Sequence, residues 1–178
     1  LTLAALARLP ERLRQRITWL VIGPNGEADY VSELRRLIET ANCDVRLLGP
    51  LPNEDIRDIY GAADLFCLTG LPASSGRVEG FGLVYLEAGA SGLPGVATAV
   101  GGVPDAVLSD QSGLLAPPDI DDISAAIARL AEDDELRARL AAGALAHARA
   151  LSWERCAGAT YGLSWKERPA PHAEMVPA

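Results

Sequence analysis

The chain has 178 residues, of which 49% are hydrophobic and 22% charged, so it can build a core and wholesale disorder is excluded. That length suits one domain. A net charge of −8 argues against a nucleic-acid partner, because such proteins present a basic face to the phosphate backbone. Cys43, Cys67 and Cys156 lie far apart with no C-x-x-C spacing, and the only histidines are His147 and His172. This pattern predicts neither a disulfide framework nor a metal site, and it suits a reducing compartment. No apolar run reaches the length of a membrane span, and the N-terminus lacks a signal pattern.

The opening stretch LTLAALARLP reads as the last turns of an amphipathic helix without the strand that would precede it, so a longer parent protein is expected. Ile17–Gly23 is a nearly continuous apolar run closed by a Gly-Pro-Asn-Gly turn, as in a strand buried on both faces. Tyr30–Ala41 has Val31, Leu34, Leu37, Ile38 and Ala41 at helical spacing. Asp44–Gly49 is a second strand. Asn53 is a candidate N-cap for a helix carrying Ile56, Ile59 and Tyr60, and Asp64–Leu68 is a third strand. The alternation predicts an α/β fold: a Rossmann-like doubly wound parallel sheet with helices on both faces.

Beyond a polar loop, a helix starts near Gly82, a strand covers Val96–Thr98, and Gly101–Gly102 opens another short helix. Gly101–Gly102 itself reads either as a plain helix–strand turn or as a ligand contact. Gly113–Ala116 is the last strand. A C-terminal run of helices follows, with Asp121, Asp133 or Asp134, and Ser152 as their caps. Residues 1–167 form the predicted domain, and residues 168–178 a tail with three prolines.

The stretch Glu79-Gly80-Phe81-Gly82-Leu83-Val84-Tyr85-Leu86-Glu87-Ala88 carries the chemistry. It follows the carboxyl end of a strand, where open α/β sheets bind ligands. Glycines let backbone amides approach a ligand, and a helix N-terminus attracts a phosphate or diphosphate. Two nearby carboxylates suit vicinal sugar hydroxyls better than the phosphate itself. Gly23–Gly26 lacks both G-x-G-x-x-G and the Walker lysine, which disfavours nicotinamide and ATP chemistry.

The paired glutamates in EGFGLVYLEA, followed by GLPGVATAVGGVPDAV, resemble the donor-binding motif of family-4 glycosyltransferases, which have the GT-B fold. The likeness runs from about Leu3 to Leu163 and includes LLGPL, YGAADLFCL, GLLAPP and the SWE start of the last helix. It implies the donor-binding half of a retaining enzyme whose donor is a nucleoside-diphosphate sugar, with no cofactor and no metal. On that resemblance Glu79 is the catalytic-centre residue. Gly80 flanks it, amides of Phe81, Gly82 and Leu83 hold the sugar and diphosphate, and Glu87 accepts from ribose. The turn through Gly49, Leu51 and Asn53 flanks the base.

Two departures follow. The family's arginine and lysine for the diphosphate would lie upstream of Leu1, and no lysine precedes Lys166. The acceptor-binding domain with its catalytic histidine would also lie upstream, so this chain alone is expected to be inactive. The resemblance implies a cytoplasmic protein, with any contact at the inner face of a membrane made through the parent enzyme. Alternatives are a non-catalytic nucleotide-binding or protein-interaction module and part of a sugar-nucleotide epimerase.

Other residues have plainer readings. Trp153 and Tyr161, at helical spacing, are expected to pack, and His147 to be a solvated helix residue. Arg77 could pair with Glu79 or reach a phosphate. The acidic groups at 119–122 and 132–135 are expected to cap helices.

Overall fold

A computed structural model describes residues 1–24, 26, 28–72 and 79–162. Arg77, Lys166, His172 and the tail at 168–178 therefore lie outside the described residues.

Helices α1 (Thr2–Arg8) and α2 (Glu11–Arg14) lead into strand β1 (Thr18–Ile22). Leu3 and Leu6 of α1 and Leu13 of α2 are buried, so the opening stretch packs by apolar residues of both helices. Helix α3 (Ala28–Ala41) returns the chain to strand β2 (Asp44–Gly49), which pairs with β1 in parallel. Helix α4 (Asn53–Ala62) then precedes strand β3 (Phe66–Leu68).

The second half repeats this alternation with helix α5 (Leu83–Ala90), strand β4 (Gly95–Thr98), helix α6 (Val103–Ala106) and strand β5 (Gly113–Ala116). Helices α7 (Ile120–Glu132), α8 (Asp134–Ala150) and α9 (Trp153–Tyr161) complete the described chain. All four residues of β4 are buried, as expected of a parallel strand covered on both faces. Val96 of β4, Leu114 of β5, Ile123, Ile127 and Leu130 of α7, and Leu136 and Leu140 of α8 form the main core with Leu6 and Leu13.

The α/β class and parallel pairing agree with expectation, but the strands do not form one continuous ladder. They divide into a pair, β1-β2, and a triplet, β3-β4-β5. The free edges of β1 and β3 line a common cavity of about 940 Å³.

Several local expectations need correction. Asp119, rather than Asp121, caps α7: its carboxylate accepts from the amides of Asp121 and Asp122 at 2.8 and 3.3 Å. Extended backbone at Asp119 aims its carboxylate back at those amides, whereas Asp121 already lies in the first turn. Asp133 caps α8 through the Leu136 amide at 2.8 Å, and Ser152 caps α9 through the Arg155 amide at 3.2 Å. Asn53 is the first helical residue rather than the cap. Extended Pro52 takes the cap position, and no side chain caps α4.

Trp153 and Tyr161 do not pack: each is 75% exposed, because α9 buries none of its residues. His147 also departs from its expected role. Its Nε2 lies 3.0 Å from the Asp105 carbonyl oxygen, joining α8 to α6.

Candidate functional site

The motif around Glu79 sits where the three-stranded sheet ends and α5 begins. Gly82 is the N-cap of α5 and has left-handed backbone (φ 82°, ψ 66°), a conformation that glycine adopts without a side-chain penalty. No side chain caps this helix, so no side chain satisfies the first amides at the positive end of its dipole. Glu79 and Gly80 are exposed, Gly82 is buried, and Leu83 is exposed.

Three anchors hold this loop. Tyr85 Oη donates to the Leu68 carbonyl at 2.7 Å, tying the first turn of α5 to the end of β3. The Gly102 amide donates to the Glu79 carbonyl at 3.0 Å. Phe81 packs against the cluster of Tyr85, Ala97, Val100, Val103, Ala106 and Val107, so its ring belongs to the core. Beside the two readings of Gly101–Gly102, the geometry adds a role for Gly102: it supports the Glu79 loop.

The loop after β3 is fixed as well. Thr98, fully buried at the end of β4, accepts from the Gly70 amide and donates to the Gly70 carbonyl, both at 2.9 Å. One hydroxyl thus satisfies both polar groups of Gly70 where the strands end.

Glu87 is exposed on α5 and lines the cavity between β1 and β3, together with Val84, Gly23, Pro24, Pro50 and Leu51. Leu51 and Glu87, distant in sequence, therefore line the same cavity. Gly49, Asn53, Glu79, Gly80, Phe81, Gly82 and Leu83 are not among its lining residues. Gly49 instead makes the turn after β2 with φ 71°, and its carbonyl accepts from the Gly23 amide at 3.0 Å. That bond joins the two strand ends at the rim.

Sequence reasoning gave Tyr60, Tyr85 and Thr98 no role at the site. The Tyr60 and Phe66 rings meet edge to face with centroids 6.1 Å apart, and Phe66 and Tyr85 do so at 5.5 Å. This aromatic row runs from the Glu87 side of the site to the Glu79 loop. Partial burial, and then the nearby Glu87 carboxylate, raise the Tyr60 hydroxyl above its usual pKa. Thr98 could have been noticed as a polar residue ending the apolar run Val96-Ala97. Among the described residues, no group of three or more His, Cys, Asp or Glu is placed to hold a metal ion. Nor is any helix among them long and apolar enough to cross a membrane.

A parallel α/β unit with an uncapped helix start at its strand ends belongs to the broad class of α/β domains that bind ligands at that edge. Residues 1–146 match the family described as Glycosyl transferases group 1, and the chain belongs to that family. It is 41% identical over 159 residues to a D-inositol 3-phosphate glycosyltransferase of Saccharomonospora viridis, covering 85% of this chain and 35% of that protein. Identity is 37% over 131 residues to a GDP-mannose-dependent monoacylated alpha-(1-6)-phosphatidylinositol monomannoside mannosyltransferase of Corynebacterium glutamicum, covering 72% of this chain and 34% of that protein.

Among solved structures, Anabaena Alr3699/HepE in complex with UDP and glucose superposes with a TM-score of 0.76 at 29% identity. That match covers 91% of this chain and 44% of the Anabaena chain. The chain therefore spans about a third of these two sequence relatives and less than half of the structural one.

Proposed function

We propose that this chain is the donor-binding part of a retaining glycosyltransferase that takes a hexosyl group from a nucleoside-diphosphate sugar. The observation that carries this reading is that Leu51 and Glu87 line one cavity, Glu87 standing on α5, whose start no side chain caps. The diphosphate would lie at the amides of Phe81, Gly82 and Leu83, where unpaired N–H groups and the helix dipole favour negative charge. Glu87 would accept from the ribose hydroxyls, with Pro50 and Leu51 beside the base. Gly49 and Asn53 would shape that turn without lining the pocket. Glu79, just ahead of the α5 cap, would meet hydroxyls of the transferred sugar.

No metal enters this reading. Backbone amides, the α5 dipole and cationic side chains outside the chain would balance the charge of the leaving diphosphate. The acceptor would bind on a further domain of the parent protein, as the partial coverage of the relatives supports. The three free thiols fit a cytoplasmic setting.

Calorimetric titration of the full-length parent with UDP, GDP and ADP tests the reading. One nucleoside diphosphate should bind in EDTA, and its nucleotide sugar should be consumed when acceptor extracts are added. Failure of all three to bind would overturn the proposal.

A further inference from the structure

Buried hydroxyls are scarce among the described residues, and most of them meet one stretch of chain. Those inside belong to Thr2, Thr98, Ser112, Ser124 and Tyr85. Tyr85 Oη donates to the Leu68 carbonyl at 2.7 Å, and the Thr2 hydroxyl lies 2.7 Å from the Thr69 hydroxyl. Thr98 bonds both backbone groups of Gly70, each at 2.9 Å. Leu68, Thr69 and Gly70 are consecutive residues at the exit of β3, and their anchors come from α5, α1 and β4.

Thr98 is the deepest of these groups, with no exposed surface, so its hydroxyl serves protein atoms only. Burying a hydroxyl is unfavourable unless it is bonded. Valine has the same shape and would end the run Val96-Ala97 without that demand. The hydroxyl bonds instead to Gly70, a residue outside any helix or strand. A buried polar group paired in this way specifies one path for the loop it holds.

The chain just after Thr98 holds the other end of the same connection. The Val100 amide donates to the Thr98 carbonyl at 2.8 Å, and the Gly102 amide donates to the Glu79 carbonyl at 3.0 Å. Thr98 and Gly102 thus grip Gly70 and Glu79, the first at the exit of β3 and the second ahead of α5. A Cβ added to Gly82 would lie 3.6 Å from Glu79 Cγ, so the Glu79 side chain stands over the start of α5. The start of α5 has holds of its own in Phe81 and Tyr85.

We propose that Thr98 is a positioning residue for Glu79. Its hydroxyl fixes the backbone at Gly70, from which the chain runs on to Glu79, and so sets where that carboxylate meets the transferred sugar. The inference rests on the role proposed above for Glu79 and adds to it a residue that touches no substrate. Glu87 and the α5 amides hold the nucleotide in that reading. Loss of the Thr98 hydroxyl should therefore show in kcat and hardly at all in nucleotide affinity.

The test uses the full-length parent with Thr98→Val, Thr98→Ser or Thr98→Ala, each alone and combined with Glu79→Ala. Turnover is read as nucleoside diphosphate released from saturating UDP-glucose, GDP-mannose or ADP-glucose with acceptor extract, and affinity by titration with UDP, GDP and ADP. Thr98→Val should lower kcat on the order of tenfold and change diphosphate affinity by less than about twofold. Thr98→Ser, which keeps the hydroxyl, should stay within about twofold of wild type. With Glu79 already replaced by alanine, Thr98→Val should lower kcat no further, because it acts through that carboxylate. If Thr98→Val does not fold, Thr98→Ser and Thr98→Ala make the same comparison, since they differ by the hydroxyl alone. Wild-type kcat in the variant lacking the hydroxyl, an equal loss in Thr98→Ser, or the same fold loss with and without Glu79 would overturn the proposal. A parent that binds no nucleoside diphosphate, or that keeps its kcat in Glu79→Ala, overturns the donor reading itself and this inference with it.

Discussion

Gly102 lies directly against Gly80: a Cβ on Gly102 would overlap the Gly80 carbonyl oxygen, while its amide donates to the Glu79 carbonyl at 3.0 Å. The backbone of Gly102 (φ −89°, ψ 7°) is open to any residue, so closeness alone requires glycine here. Gly102 lets the α6 turn press on the Glu79 loop, whereas a Cβ on Gly80 would meet open space.

Gly102→Ala should therefore act by displacement and not by backbone strain. Overpacking of this kind costs about 1–3 kcal/mol. Urea denaturation should show that loss, and nucleotide titration of the parent should show weakened donor binding. Unchanged stability and binding would mean that the loop yields freely.

Tyr85→Phe removes the hydroxyl that reaches the Leu68 carbonyl at 2.7 Å but keeps the ring against Phe66. Loss of about 1 kcal/mol is expected. Gly82→Ala should cost more, because left-handed backbone disfavours a Cβ by about 1–2 kcal/mol and the new atom would stand 2.6 Å from the Tyr85 ring. A double-mutant cycle of Gly82→Ala with Tyr85→Leu should recover the steric part and leave the backbone part.

In the full-length parent, Glu87→Ala should mainly raise KM for the donor, since ribose hydroxyls stay bound throughout the reaction. Losing a hydrogen bond to a charged group costs about 1.5–3 kcal/mol, on the order of ten- to a hundredfold in affinity. Glu79→Ala should instead lower kcat and kcat/KM together, because that carboxylate would act where charge develops on the sugar. Steady-state kinetics with varied donor separates the two. A Glu79→Ala enzyme with normal kcat would reverse the assignment.

Alkali should destabilise the fold. Burial pushes the Cys67 thiol from 9.0 up to about 12, and burial likewise raises the Tyr85 hydroxyl above its usual value of 10.0. Both groups ionise more readily in the unfolded chain, so their contribution is complete below about pH 9 and falls as pH rises toward 12. Urea midpoints measured from pH 8 to 11 should decline, and less steeply in Cys67→Ala. At pH 8 a thiol reagent should modify exposed Cys156 well before Cys67.

Much of this protein is legible one segment at a time. Strand β5 falls where its apolar run ends before proline, because an element buried on both faces needs a continuous run, and β2, with alternating exposure, ends at Gly49. The start of α5 is equally local: Gly82 allows the left-handed cap, and the next residues continue as helix. Glu79 and Glu87 could be singled out because glycines, strand end and helix start adjoin them in the chain.

Other features depend on residues that meet only after folding. Helical periodicity in α9 is the same for a packed and an exposed face, so the exposure of Trp153 and Tyr161 waits on what lies opposite. The choice of Asp119 over Asp121 turns on backbone angle, which neighbouring carboxylates do not reveal. Composition likewise cannot say that Gly102 presses on Gly80, that Leu51 and Glu87 line one cavity, or that β1 and β3 face each other unpaired. Those relations join segments distant in the chain, and only the packing of helices on both half-sheets sets their separation.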